Sequence, residues 1–272
     1  MNRNFQLPAG EDAVLRCSHF PAQSRASSLI VIAHGFKGFK DWGMFPYVAG
    51  ELSRKHEVIT FNFSHGGIGE DPEQFTELDK FARNTVSRSL KDMEILLSYL
   101  SQHPKFGALP LFLLGHSLGG GLSLLYALEH PEEIGGVISW NGVTNLDLLS
   151  DEQKRELLEN SRSHVLNSRT GQQMPLDLVL LQDLERNARR YDLLARMEHA
   201  GFPAVLIQGS EDGAHLRHGS RQLTGLRPDI AWVQIPGGNH TFGTVHPFAG
   251  TTPQLEQAIA ATQDFITRVL AG

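Results

Sequence analysis

Only one cysteine, Cys17, occurs in 272 residues, so no disulfide can close within the chain and the fold must rest on its core. That agrees with a reducing, cytoplasmic setting. Cys17 lies in a strand-like segment with no activating motif around it, which argues against a role as nucleophile. Blocks of like charge are missing too: 24 Lys and Arg stand against 30 Asp and Glu, a net charge of −6 spread along the chain. Neither nucleic acid nor an anionic membrane surface finds a partner in that balance. No stretch approaches the ~18 consecutive apolar residues of a membrane span, and Met1 to Pro8 lacks the apolar centre of a secretion signal. A soluble protein is expected.

Repeats, low-complexity tracts and cofactor motifs are also lacking. His215-x-x-His218 has no third ligand at a metal-binding spacing. The glycine-rich Gly115 to Gly121 lacks both the Lys-Ser/Thr ending of a phosphate loop and an acidic ribose partner about 20 residues on. Neither metal nor cofactor is expected.

What the chain does have is an alternation of apolar strands and amphipathic helices. Strands are predicted over Ala13 to His19, Leu29 to Ala33, Val58 to Phe63, Leu111 to Leu114, Gly136 to Trp140, Ala204 to Gln208 and Ile230 to Ile235. Leu29-Ile30-Val31-Ile32-Ala33 and Leu111-Phe112-Leu113-Leu114 are apolar throughout, as strands covered on both faces must be. Helices are predicted over about Met44 to Lys55, Phe81 to Leu100, Ser117 to Glu129 and Pro253 to Leu270, with Val86, Leu90, Met93, Leu97 and Leu100 recurring every three or four residues. This order implies an α/β fold with a mostly parallel sheet, built as a single domain over residues 1–272.

One connection is too long. Residues 141–202 place about 60 residues between two strands, where a crossover needs a dozen or somewhat more. Asp151 to Asn167 and Leu176 to His199 read as helices separated by the breaker-rich Arg169 to Pro175. This insertion is the candidate cap over an active site.

Gly115-His116-Ser117-Leu118-Gly119 is a G-x-S-x-G pattern lying directly after an apolar strand and directly before a helix. A strand turning sharply into a helix strains the serine backbone, and only glycines two residues to either side leave room. The stretch resembles the nucleophile elbow of the α/β-hydrolase superfamily, and the order of elements resembles that fold over nearly the whole chain.

The resemblance implies an α/β-hydrolase fold and a serine hydrolase with Ser117 as nucleophile. His34-Gly35-Phe36 is similar to the superfamily's oxyanion loop, so Phe36 and Leu118 N–H are the implied oxyanion donors and His34 a residue that orders the loop. His240, in the glycine-rich loop after the last strand, matches the catalytic histidine, with His246 as its nearest rival. Asp212, in Gly209-Ser210-Glu211-Asp212, matches the acid, with Glu211 beside it and Asp147 at an alternative position used by some relatives. The chain order Ser117, Asp212, His240 is that of the superfamily.

The short cap, Trp140-Asn141-Gly142 and the segment Asp79 to Thr85 resemble small bacterial carboxylesterases, including those acting on feruloyl or other cinnamoyl esters. That implies a small-molecule ester substrate, short acyl or aryl, contacted by His116, Trp140 and Met174 together with Leu146 and Leu178. Thioesterases, and peptidases or acyl-peptide hydrolases, share the fold and stay open as alternatives, as does a non-catalytic ligand-binding relative.

Overall fold

The computed structural model describes residues 3–10 and 12–272. Strands run over β1 (Arg3–Pro8), β2 (Val14–Phe20), β3 (Leu29–Ala33), β4 (Glu57–Asn62), β5 (Leu111–His116), β6 (Gly136–Trp140), β7 (Arg162–Leu166), β8 (Gln173–Asp177), β9 (Ala204–Gly209) and β10 (Ala231–Ile235). Helices run over α1 (Phe45–Leu52), α2 (Leu78–Phe81), α3 (Val86–Gln102), α4 (Leu118–Glu129), α5 (Asp151–Asn160), α6 (Val179–Arg186), α7 (Leu193–Met197), α8 (Ala214–Leu226) and α9 (Pro253–Ala271). Eight strands form one sheet in the order β1-β2-β4-β3-β5-β6-β9-β10. From β4 to β10 every pairing is parallel, while β1–β2 and β2–β4 are antiparallel. The mostly parallel sheet is as the apolar runs imply; β1, an edge strand, was not among the predicted strands.

The continuous apolar runs feed two cores at once. Leu29, Val31 and Ala33 of β3 face a layer that includes Leu90, Met93 and Leu97 of α3 and Leu122 of α4, whereas Ile30 and Ile32 face Phe45 and Val48 of α1 and Ile259 and Phe265 of α9. Because successive side chains of a strand point to opposite faces, a strand covered on both sides has no position left for a polar residue. Truncating one of these side chains, Ile32→Ala for example, costs about 2–5 kcal/mol. The helices start where the sequence supplies caps: Thr85 accepts from Arg88 N–H at α3, Ser150 and Gln153 form a reciprocal capping box at α5, and Thr252 accepts from Leu255 N–H at α9.

The insertion differs in detail from the predicted pair of helices. Its first helix, α5, stops at Ser161, whose φ of 61° takes the chain out of helical geometry. The chain then pairs β7 with β8 in a separate antiparallel ribbon, and helix resumes only at Val179. The physical reason is a change of period: Ser163 and Val165 turn inward while Arg162, His164 and Leu166 face out, an alternation of two. A third cluster, Phe39, Ile68, Phe75 and Phe81 with Leu157, Met174, Leu176, Leu180 and Leu181, fastens this insertion to the loops above the sheet. Among the described residues no helix is long and apolar enough to cross a membrane.

Candidate active site

The sharpest backbone feature in the molecule sits between β5 and α4. Ser117 has φ 55° and ψ −119°, a conformation that costs a non-glycine residue on the order of 1–3 kcal/mol and persists only where its surroundings impose it. They do so through glycines. A Cβ on Gly115 would lie 2.1 Å from Gly119 O, and one on Gly119 would lie 2.2 Å from Ala33 O, so neither position admits any side chain.

Gly35 closes the other side, where a Cβ would come within 2.9 Å of the Ser117 Cβ. His34 holds this loop. Its Nδ1–H donates to Gly35 O at 2.9 Å while Nε2 accepts from Phe63 N–H at 3.4 Å, and burial pushes its pKa down to about 4. A neutral ring that orders the loop is what the sequence implied for it. Among the described residues Phe36 N–H donates to no protein group, and Leu118 N–H, first in α4, has no helical acceptor.

His240 Nδ1–H donates to Asp212 Oδ1 at 2.8 Å. The Asp212 side chain is fully buried, a position that alone would raise its pKa; the donors His240, Gln208 Nε2 (2.8 Å) and Gly213 N–H (2.8 Å) outweigh burial and hold the carboxyl below its ordinary value. Three donors on one carboxylate fix both its charge and its direction. The His240 side chain is 41% exposed. Among the described residues neither Ser117 Oγ nor His240 Nε2 is engaged in a hydrogen bond, so the two face their shared cleft with their bonding capacity unspent.

The rivals are occupied elsewhere. Asp147 is paired with Lys154 at 2.6 Å and accepts from Leu149 N–H, and Glu211 is exposed. His246 lines the cleft, but its Nδ1 accepts from Gly43 N–H and its ring stacks on Trp42. Cys17 is buried, which pushes its thiol up to about 12 and leaves no thiolate.

Two hollows meet at Phe36. The first is an apolar pouch of about 70 Å³ lined by Phe36, Val86, Leu118, Leu146, Leu180 and Leu184 among others. The second is a cleft of about 480 Å³, more polar than the pouch, containing Ser117 and His240 and lined by Lys37, Arg169 and His246 beside Trp42 and Phe45.

Of the side chains expected to contact substrate, His116 reaches the cleft but is buried, and burial together with nearby His240 pushes its pKa down to about 3. Its Nε2–H donates to His240 O at 2.8 Å, so it holds the histidine loop. Trp140 and Met174 are corrected. Both are fully buried and line neither hollow: Trp140 packs on Phe242 with its Nε1–H on Thr262, and Met174 lies in the cluster beneath the insertion. Trp140 shares the face of Ile138 at the end of β6, which turns it toward α9. Leu146 lines the pouch as expected, and Leu178 lines neither hollow.

Sequence reasoning passed over Asn141, the next residue. Its Nδ2 donates to His240 O and Asn239 O and its Oδ1 accepts from Gly209 N–H, so one buried amide ties the histidine loop to the strand that leads to Asp212. An Asn at a strand end, where the chain needs positive φ (46° here), is the signal that points to it.

A family model described as "Serine aminopeptidase, S33" matches residues 24–192, more than half of the chain. The chain belongs to this family. It is thus a serine hydrolase of the α/β-hydrolase fold. Among curated proteins it is similar to monoglyceride lipase of Mus musculus, 26% identical over 73% of this chain and 69% of that one. A second match, to monoglyceride lipase of Rattus norvegicus, is 29% identical over 46% of this chain and spans only 38% of the rat protein. In three dimensions this S33 hydrolase resembles Est1E from Butyrivibrio proteoclasticus (TM-score 0.72, 16% identity, 99% of both chains). It also resembles alpha/beta hydrolase domain-containing protein 10 from mouse (TM-score 0.72, 19% identity, 98% of this chain and 99% of that one). At these identities the structural likenesses speak for the fold.

Proposed function

We propose that this S33 hydrolase cleaves short-chain carboxylic esters through an acyl-enzyme on Ser117. The observation that carries the reading is that a strained serine, a histidine oriented by a buried carboxylate and Phe36 line one cleft, with Leu118 next in the chain after the serine. Ser117 Oγ attacks the acyl carbonyl as His240 Nε2 takes its proton. The negative charge that develops on the carbonyl oxygen is met by Phe36 and Leu118 N–H, donors of a kind worth ~3 kcal/mol each in the transition state. Asp212 keeps the tautomer that leaves Nε2 as acceptor and stabilises the imidazolium. His240 then protonates the leaving oxygen, and water, activated in the same way, releases the acid.

Residues 141–202 act as the cap and set acyl length. At about 70 Å³ the pouch they form together with Phe36, Val86, Leu118 and Leu122 is under half the size of the roughly 150 Å³ apolar cavity that holds a benzene ring. A short alkyl acyl group fits it as it stands, and a bulkier one requires the lining to move. The family description names an aminopeptidase, but a substrate α-ammonium calls for a carboxylate, and among the described residues lining the cleft there is no Asp or Glu.

The test is a fluorophosphonate probe with a panel of acetyl, butyryl and octanoyl esters, matched thioesters and aminoacyl amides, run on wild type and Ser117→Ala. Stoichiometric labelling of wild type, none of the variant, and turnover of short esters are expected. Labelling or turnover that survives in Ser117→Ala removes the nucleophile assignment; amide cleavage faster than ester cleavage removes the esterase reading.

A further inference from the structure

The two hollows differ in kind, and the histidine decides which part of a substrate enters which. The group that leaves must receive its proton from His240, and His240 lines the polar cleft and not the apolar pouch. Given the proposed esterase reading, on which this step rests, the acyl chain lies in the pouch and the alcohol in the cleft.

The cleft wall is cationic. Lys37 follows the oxyanion-loop residue Phe36 directly and is held at φ 56°, a strained setting for a lysine that fixes where its side chain departs. Its Nζ donates to the carbonyl of Leu166 at 2.9 Å, which leaves two of its three hydrogens free. Arg169, from the turn between β7 and β8, lies over the Phe39 ring and reaches only the backbone carbonyl of Glu73, at 3.4 Å. Among the described residues neither cation is in an ion pair. No acidic side chain lines the cleft; the Glu73 carboxylate lies outside the lining, near enough to act on His246. Asn167 and Ser168 add hydrogen-bonding groups to a lining that also carries Trp42, Phe45 and Val245.

We infer that the cleft takes an alcohol leaving group carrying an anionic oxygen acid, a carboxylate or a phosphate, which Lys37 and Arg169 bind from opposite sides of the insertion boundary. The substrate class is then a short-chain acyl ester of a hydroxy acid or of a phosphorylated alcohol. Lys37 comes from the loop that supplies the oxyanion donor and Arg169 from the insertion, so an anion held between them also braces the insertion against the catalytic loop.

The experiment compares acetyl esters of phenols that carry para substituents of different charge: 4-acetoxybenzoate, its neutral methyl ester, 4-acetoxyphenyl phosphate, and the cationic 4-acetoxyphenyltrimethylammonium. Active sites are counted by fluorophosphonate labelling, so that misfolded protein does not enter the rates. In wild type the kcat/KM of the better anionic ester should exceed that of the neutral ester by about fivefold, through KM, although the neutral methyl ester carries the better leaving group. The cationic ester should be slowest. The preference should shrink toward unity in Lys37→Gln and in Arg169→Gln, and in wild type at ~0.5 M salt, where surface charge is screened. Which anion wins separates the carboxylate from the phosphate source. Equal rates for anionic and neutral esters, or a preference that persists in both variants, overturns the anionic subsite while leaving the esterase reading intact; no turnover of any of the esters by labelled enzyme overturns both.

Discussion

The side-chain amide of Asn141 donates to the main-chain carbonyl of His240 at 2.9 Å while its oxygen accepts from Gly209 N–H at 2.8 Å. One buried side chain therefore fixes the separation of the histidine loop from the end of β9, three residues before Asp212. Asn141→Ala removes these bonds and the one to Asn239 O, and should cost about 3 kcal/mol of stability at roughly 1 kcal/mol per bond. Catalysis should suffer more than binding, with kcat for a short ester falling about tenfold and KM little changed. Asn141→Asp, the same shape with a carboxylate facing two carbonyl oxygens, should be worse on both counts. Urea denaturation and steady-state kinetics on the two variants check this, and wild-type kcat in Asn141→Asp would show that the clamp does not position His240.

The glycines of the elbow and those elsewhere should answer differently to the same change. Gly119→Ala drives a Cβ against the Ala33 carbonyl, a backbone contact with nowhere to move, and should abolish folding or cost more than ~3 kcal/mol. Gly225, near the end of α8, has nothing within 4 Å of an added Cβ. Gly225→Ala should stabilise by about 0.5–1 kcal/mol through helix propensity. Thermal melts of the two variants beside wild type measure the contrast.

Acid should unfold the protein through its buried histidines. His34 and His116 are pushed down by burial, from 6.5 to about 4 and about 3, so both stay neutral in the native state at pH values where the unfolded chain protonates them. The unfolded state then binds more protons between about pH 6.5 and 4, and stability falls as pH drops through that window. At the acid end His34 can contribute at most about 3 kcal/mol and His116 at most about 5. Asp92 works the other way: burial raises it to about 6, so its native form binds a proton first and its contribution grows as pH falls from 6 toward 4. His56 and His65, both buried and pushed down to about 4, add to His34 and His116, so one carboxyl stands against four histidines and the histidine slope dominates. The urea midpoint should therefore be lower at pH 4.5 than at pH 7, and His34→Asn should flatten the slope. An unchanged slope in that variant would mean that His34 is protonated in the folded protein.

The fold and the serine were legible because their causes are local. Leu29 to Ala33 is apolar at every position because both faces are covered, and Gly115 and Gly119 flank Ser117 because backbone carbonyls lie about 2 Å from where their Cβ atoms would be. His240 and Asp212 were legible through their places after the last two parallel strands, and they meet in the structure. The insertion was not. Each strand of its ribbon has five residues, Pro175 interrupts one of them, and a short run such as Arg162 to Leu166 satisfies a helical pattern as easily as an alternating one. Trp140 misled because a large aromatic at a strand end invites a substrate contact, whereas the side-chain alternation of β6 had already committed it to the α9 face. The cationic wall could not be read at all, since Lys37 and Arg169 are brought to one cleft only by the way the insertion folds back.

Acyl length should be set by Leu184. This half-buried side chain of α6 lines the apolar pouch on one side and, on the other, a hollow of about 690 Å³ bordered by Tyr191, Leu194 and His218. It is a wall between them. Leu184→Ala removes the side chain that separates the small pouch from the large hollow and gives an alkyl chain a route onward. Wild type should prefer acetyl and butyryl esters of p-nitrophenol over octanoyl; the variant should move its optimum toward octanoyl, by roughly tenfold in the ratio of kcat/KM, since a few buried methylenes at ~0.8 kcal/mol each suffice. Because Leu184 is only partly buried, the loss of stability should stay near 1–2 kcal/mol, below the 2–5 of a core leucine. Leu181, its neighbour in α6, also borders the large hollow but does not line the pouch, so Leu181→Ala supplies the control: it weakens the cluster beneath the insertion without opening the wall. A chain-length profile that shifts equally in both variants would mean that general loosening of the insertion, and not the Leu184 wall, limits acyl length.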